Sequence, residues 1–198
     1  MVITILAAFN DCYDGAVEIM TNSEKYKIDT NRVIVTGDSA GGQLSLSVGM
    51  FLRKNGYPIK GTVPVYPVTQ IVTGTTKSYF QENYAITQEG VAWAASMYIY
   101  GNLKVLNPYQ NGQLYNVALA HDKKLVSNRL RYSNENYKFS NSSELFDLDH
   151  HGLETIFDPR VSPLMASDEM LKNMPPTHIY ASEHDVLRDQ GCHPLLRL

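Results

Sequence analysis

The segment Gly37-Asp38-Ser39-Ala40-Gly41-Gly42 constrains this chain more than any other, because it follows the short apolar run Arg32 to Thr36 and opens a helical pattern. A Gly-x-Ser-x-Gly sequence in that setting turns the backbone sharply from strand to helix. Side chains at Gly37 and Gly41 are expected to collide with the neighbouring strand and helix, which is why both are glycine. The turn leaves Ser39 at the C-terminal end of a strand with its hydroxyl exposed. The Ala40 amide then points the same way from the positive end of the following helix, where an oxyanion would be stabilised. Asp38 and Gly42 are expected to shape the turn and a pocket floor rather than to react.

The surroundings agree with that placement. Phe9, Tyr13, Ala16, Val17 and Met20 recur at helical spacing, and Ile28 to Arg32 breaks into turn residues. Val33-Ile34-Val35 has the β-branched form expected of a parallel strand with both faces covered. After the turn, Leu44, Val48, Phe51 and Leu52 share one helical face, and Asn55-Gly56 stops the helix just beyond Arg53 and Lys54. Gly61 to Tyr66 reads as a second strand despite Pro64, with Pro67 closing it, and Thr177 to Ser182 as a third. The fold class is therefore α/β, with a mostly parallel sheet and flanking helices.

Between Val68 and Pro159 the composition shifts toward Tyr, Asn, Ser and Gln, with one clear helical stretch from Thr87 to Tyr100 that Gly101 ends. Residues 68–159 read as a cap inserted between strands. Trp93, Met97, Tyr98 and Tyr100 could line an apolar pocket over the serine, but aromatic residues at helical spacing are more often plain core, and core is the expectation here.

A formal net charge of −3 without any Lys/Arg run argues against a nucleic-acid surface and for a small, uncharged partner. Two cysteines, Cys12 and Cys192, exclude a disulfide framework and leave at most one bridge. The apolar start, Val2 to Phe9, is too short for a membrane span and lacks the flanks of a signal peptide. Asn141-Ser142-Ser143 fits a glycosylation acceptor, which matters only on the secretory route. His150 and His151 beside Asp147 and Asp149 sit in a polar stretch where solvated side chains are the commoner outcome, so no metal site is assigned.

Nucleophilic catalysis needs a hydroxyl, a base and an acid that orients the base. Ser39 supplies the first, and Asp185, just past a strand end in Glu183-His184-Asp185, supplies the third; the bland alternative for Asp185 is a solvated or capping carboxylate. Serine before acid, with a long insertion between them, matches the chain order in which a histidine comes last. Of the histidines near Asp185, His178 lies in an expected strand where its side chain would face the core, and His184 directly precedes the acid, so the two side chains diverge. His193, in the terminal stretch Cys192 to Leu198, is the sole histidine among the 13 residues after Asp185.

Gly37 to Gly42, Asp158-Pro159-Arg160-Val161-Ser162-Pro163-Leu164 and Glu183 to Gly191 together resemble the hormone-sensitive-lipase-like α/β-hydrolases, especially the arylacetamide deacetylases, and Asn10-Asp11-Cys12-Tyr13 extends the likeness. The resemblance implies a single, partial α/β-hydrolase domain over residues 1–198. It implies hydrolysis of carboxylic esters or amides of apolar small molecules, Ser39 as nucleophile, Asp185 as acid and no cofactor. It also implies a His-Gly-Gly-Gly oxyanion loop upstream of the serine and a catalytic histidine well beyond the acid. No His-Gly precedes Gly37, so activity near background is expected of these 198 residues. Relatives are commonly held at the endoplasmic reticulum membrane by an initial helix, and this chain shows neither anchor nor signal. The family's order also places an earlier strand beside the one that carries the serine. Unless Val2 to Leu6 pairs there, an apolar sheet edge is exposed, and marginal stability or self-association is expected. A noncatalytic domain that binds an apolar ligand or a partner through that edge is the alternative function.

Overall fold

Helix α1, Ala7–Thr21, presents the periodic residues read from the sequence: Phe9 and Met20 are buried, and Phe9 stacks on Tyr13 and meets Phe51 edge-on at 5.2 Å between ring centroids. The computed structural model of the chain describes residues 6–72, 76, 78–79, 86–130 and 150–192. A short helix, α2 (Ser23–Tyr26), and a 3-10 turn whose Asp29 carboxylate accepts from the Asn31 amide lead into strand β1, Ile34–Asp38. Helix α3, Ala40–Lys54, follows at once and ends at Asn55 and Gly56, where Gly56 takes a φ of +83° that a side chain would resist. Strand β2, Gly61–Val65, lies parallel to β1 in the register Ile34↔Gly61 to Asp38↔Val65.

The third expected strand, Thr177 to Ser182, is reduced to two parallel bridges, Thr62↔Thr177 and Val65↔Tyr180. Pro64 explains the gap. The amides of Thr62 and Tyr66 donate to the carbonyls of Pro176 and Tyr180, and the carbonyls of Thr62 and Pro64 accept from His178 and Tyr180. A continuous ladder needs residue 64 to donate as well, and proline has no N–H. The segment remains beside β2, so the sheet order is β1, β2, then 177–180.

One expectation about β1 fails. Its exposure alternates, with Ile34 53% exposed and Thr36 and Asp38 also open to solvent, so the strand is not covered on both faces. Val33, Val35, Val48, Leu52, Ile59 and Phe9 form one small core together with α1 and α3. Among the described residues the opposite face of β1 carries no such layer.

Between β2 and the 177–180 segment run helices α4 (Gln88–Tyr100), α5 (Leu106–Gln110), α6 (Gln113–His121), α7 (Lys123–Arg129) and α8 (His150–Phe157). Thr87 caps α4 by accepting from the Gly90 amide at 3.0 Å, and Gly101 closes it at a φ of +64°. These helices share a larger core built on Tyr79, Tyr109, Leu114, Val126 and Ile156, which also receives Val186 and Leu187 from the C-terminal stretch. The expectation that the α4 aromatics are plain core holds for Tyr98 and Tyr100, which pack against this core, and fails for Trp93, 54% exposed, and Met97, also exposed; Tyr98 lines a cavity as well. α8 begins at His150, so the histidine pair opens a helix rather than lying in a loop. Asp147, Asp149, Asn141 and His193 lie outside the described residues. Helices α9 (Asp168–Lys172) and α10 (Arg188–Cys192) complete the chain, and Cys12 and Cys192 are both free and exposed. No helix among the described residues is long and apolar enough to cross a membrane.

Candidate active site

The strand-to-helix turn has the strained geometry that its sequence demands. Ser39 takes φ 54° and ψ −116°, a region that costs a non-glycine residue about 1–3 kcal/mol and persists only where the surroundings enforce it. Three main-chain bonds do so: the Ser39 amide donates to the Val65 carbonyl at 2.9 Å, and the Ser39 carbonyl accepts from Gln43 at 3.1 Å and Val68 at 3.5 Å. The Ser39 side chain makes no capping bond to α3, although it occupies the N-cap position. Its hydroxyl is left available at the positive end of a 15-residue helix.

The glycines divide differently from the sequence expectation. A Cβ on Gly37 would meet the Gly41 carbonyl oxygen at 2.4 Å, so this position does exclude a side chain. A Cβ on Gly41 would meet nothing within 4 Å; the tight contact is made by the Gly41 backbone against Gly37, so Gly41 needs no glycine for space. The second crowded position is Gly42, whose Cβ would lie 2.9 Å from the Val65 oxygen and 3.1 Å from Pro67. Asp38 ends β1 with its side chain exposed.

Beside Ser39 and Ala40 opens an apolar cavity of about 170 Å³. Gln43 and Leu44 of α3 contribute to it from one side, Val91, Ala95 and Tyr98 of α4 from the other, and Leu187 from the C-terminal stretch. The cavity therefore lies at the junction of the small α1–α3 core and the larger helical core. Tyr109, a further lining residue, is fully enclosed and burial pushes its phenol well above the ordinary range, so it stays neutral.

Asp185 follows the 177–180 segment, as Ser39 follows β1, so both leave the same C-terminal end of the parallel sheet. Its Oδ1 accepts from the Leu187 amide at 2.8 Å and its carbonyl accepts from the Arg188 amide at 3.0 Å. The carboxylate thus turns the chain and places Leu187 in the cavity wall, while Asp185 is itself half-buried and is not a lining residue. His178 is exposed, not core-facing. His184 is also exposed, and neither these two nor His121 lines the cavity.

The sequence did not single out the braces that hold the site. Gln43 Nε2 donates to the Arg160 carbonyl at 2.7 Å and Ser47 Oγ to the Pro159 carbonyl at 3.0 Å, which fixes α3 to the 158–164 loop. Within that loop Arg160 closes a salt bridge of 2.6 Å onto Asp158, which raises the guanidinium's pKa. The Asp189 carboxylate accepts from the Ser78 amide at 2.8 Å, and Ser78 Oγ donates to the Val186 carbonyl at 3.0 Å. A polar side chain that bonds a group over 100 positions away carries no periodic signal, so only the assembled fold reveals it. Among the described residues no group of three or more His, Cys, Asp or Glu side chains could hold a metal ion.

Residues 4–127 match the family model of the α/β-hydrolase fold. The chain belongs to that family. Within it the chain is similar to bovine (Bos taurus) neutral cholesterol ester hydrolase 1, 28% identical over 178 residues, covering 84% of this chain and 44% of that protein. It is likewise similar to human (Homo sapiens) arylacetamide deacetylase-like 2, 27% identical over 180 residues, covering 88% and 45%. These are hormone-sensitive-lipase-like α/β-hydrolases, as the sequence resemblance indicated. Carboxyl esterase 2 of the fungus Tuber melanosporum superposes with a TM-score of 0.64 at 24% identity, covering 96% of this chain and 47% of the esterase, which shows the fold. This α/β-hydrolase chain spans less than half the length of each of these three proteins.

Proposed function

We propose that this chain is the nucleophile-bearing part of a serine hydrolase that cleaves carboxylic esters or amides of apolar small molecules through an acyl-enzyme on Ser39. The observation that carries this reading is the strained, uncapped serine at the head of α3, opening onto an apolar cavity. Oγ attacks the carbonyl carbon and passes its proton to a base; the tetrahedral intermediate collapses by breaking the carbon–oxygen or carbon–nitrogen bond, the alcohol or amine leaves with that proton, and water then releases the acid from Ser39. The Ala40 amide and the positive end of α3 stabilise the oxyanion, and the acyl group rests against Val91, Ala95 and Leu187. Gly37, Asp38, Gly41 and Gly42 hold the turn. Asp185 orients the base; it leaves the sheet two strands from Ser39, about 10 Å between backbones at the usual inter-strand spacing.

No histidine described lines the cavity, and turnover without a placed base falls by several orders of magnitude. We therefore expect these 198 residues alone to acylate slowly and to hydrolyse esters near background. A fluorophosphonate probe tests the assignment: the wild-type chain should be labelled over hours and Ser39→Ala not at all. Labelling that survives Ser39→Ala, or a folded wild type that is never labelled, refutes it.

One observation favours the noncatalytic reading. Among the described residues β1 pairs on one side only and shows Ile34 to solvent, which suits an edge that accepts another chain, a second copy included. Concentration-dependent dimers by light scattering, lost in Ile34→Lys and accompanied by no labelling, would select that reading.

A further inference from the structure

From Gly90 to Leu103 the sequence holds no charged residue, so the outer face of α4 lacks the charges that ordinarily solvate a surface helix. Val91 and Ala95 line the cavity beside Ser39, and Ala92 and Ile99 are buried among the neighbouring helices. The remaining face follows Gly90, Trp93, Ala94 and Met97 at steps of three and four residues, and the last three are exposed. Ile86 lies over the first turn of this stripe, since a Cβ on Gly90 would meet Ile86 Cγ1 at 3.2 Å. Trp93 is more than half exposed, and Ile86 and Met97 are more than one-third exposed. Ile86 and Ala94 also line the cavity, so its mouth opens onto this face.

The size of the stripe limits what can cover it. Side chains of this bulk at these exposures show about 300 Å² of apolar surface, the range in which the largest patch on a monomer is often functional. A stable protein interface takes about 800 Å² from each partner, so neither a second copy nor another folded protein is held by this face alone. A lipid surface sets no such minimum, because binding there grows with whatever apolar area enters the headgroup boundary. Glu89 and Lys104 flank the stripe with opposite signs and nothing charged lies between them, so it offers no basic cluster to anionic headgroups. Trp93 brings an apolar ring with one N–H, the form favoured where headgroups meet acyl chains.

We propose that the outer face of α4 docks on a lipid surface of zwitterionic headgroups, with Trp93 and Met97 seated in the headgroup boundary and the cavity mouth turned toward the lipid. Docking uses no group of the serine turn, so it stands or falls apart from the hydrolase reading.

Trp93 is the only tryptophan of the chain, so its fluorescence reports docking directly. When phosphatidylcholine vesicles are added to the full chain, the emission should move to shorter wavelength, lipids brominated on the acyl chain should quench it, and the chain should float with the vesicles. Met97→Lys keeps the fluorophore and should weaken flotation about tenfold or more. Ile19→Lys, at a similarly exposed apolar position on α1, should stay within about twofold of the wild type. If Met97→Lys does not give the wild-type circular dichroism, Trp93→Ser followed by flotation takes its place, with the same loss expected. Absence of flotation, flotation without the spectral shift, flotation that the α4 variant leaves unchanged, or binding confined to anionic vesicles overturns the proposal. Dimers that are lost in Met97→Lys, without flotation of the wild type, overturn it as well and give the face to a second copy. Ser39→Ala should float as the wild type does, and fluorophosphonate labelling that fails while docking holds strikes the hydrolase reading alone.

Discussion

The two halves of this α/β-hydrolase-fold chain obtain order in opposite ways. The half made of α1, β1, α3 and β2 has a small core and an open sheet face, yet it carries the serine-turn motif. The half made of α4 to α8 buries far more apolar surface around Tyr109, Leu114 and Ile156 and announces almost none of it. Motifs arise where the backbone has few alternatives, as at Gly37, Ser39 and Gly42. Packing is more permissive, because many apolar residues of suitable volume fill the same space. The cavity forms where the two meet, so its chemistry comes from the first half and its shape from the second.

The comparison fails if the helical half is not close-packed. Leu114 and Leu52 are both completely buried, one in each core. Leu114→Ala and Leu52→Ala should each cost about 3 kcal/mol in a urea titration, within the range for buried leucines. A cost below about 1 kcal/mol at Leu114 alone would show that burial in the helical half does not amount to packing.

A slightly smaller effect separates the glycines of the turn. Gly37→Ala forces a Cβ to within 2.4 Å of a carbonyl oxygen, and with backbone on both sides it should destabilise by about 2–3 kcal/mol. Gly41→Ala meets nothing and gains helix propensity, so it should be neutral or stabilising by up to about 1 kcal/mol. Equal losses at both positions, read from the same titrations, would mean that the motif's two glycines are needed for one reason after all.

These substitutions mark how far the sequence could be read. α1, α3 and the serine turn were legible because their periodicity, caps and glycines are local. The family was legible because Gly37 to Gly42, Asp158 to Leu164 and Glu183 to Gly191 occur together. What was not legible is set by distant partners. Whether β1 is covered depends on which layers pack against Ile34, not on Ile34 itself. Trp93 looked like core because its helical spacing says nothing about what packs against it. The braces from Gln43 to Arg160 and from Ser78 to Asp189 join residues over 100 positions apart.

The smallest effect concerns the seam at which the sheet half ends. Pro64 leaves the His178 carbonyl without a donor from β2, and the neighbouring bonds at Thr62 and Tyr66 hold the 177–180 segment as two bridges. Pro64→Val supplies the missing N–H, worth about 1 kcal/mol as a net hydrogen bond. It also frees the unfolded chain, at a cost of about 0.4–1 kcal/mol. The two nearly cancel, so global stability should move by less than about 0.5 kcal/mol. Local protection should change more. The new amide at position 64 should exchange with deuterium as slowly as those of Thr62 and Val65, because the segment that leads to Asp185 would then form an unbroken third strand. If that amide exchanges at the rate of an exposed loop, the proline is not what divides the strand, and the 177–180 segment is held by its bridges alone.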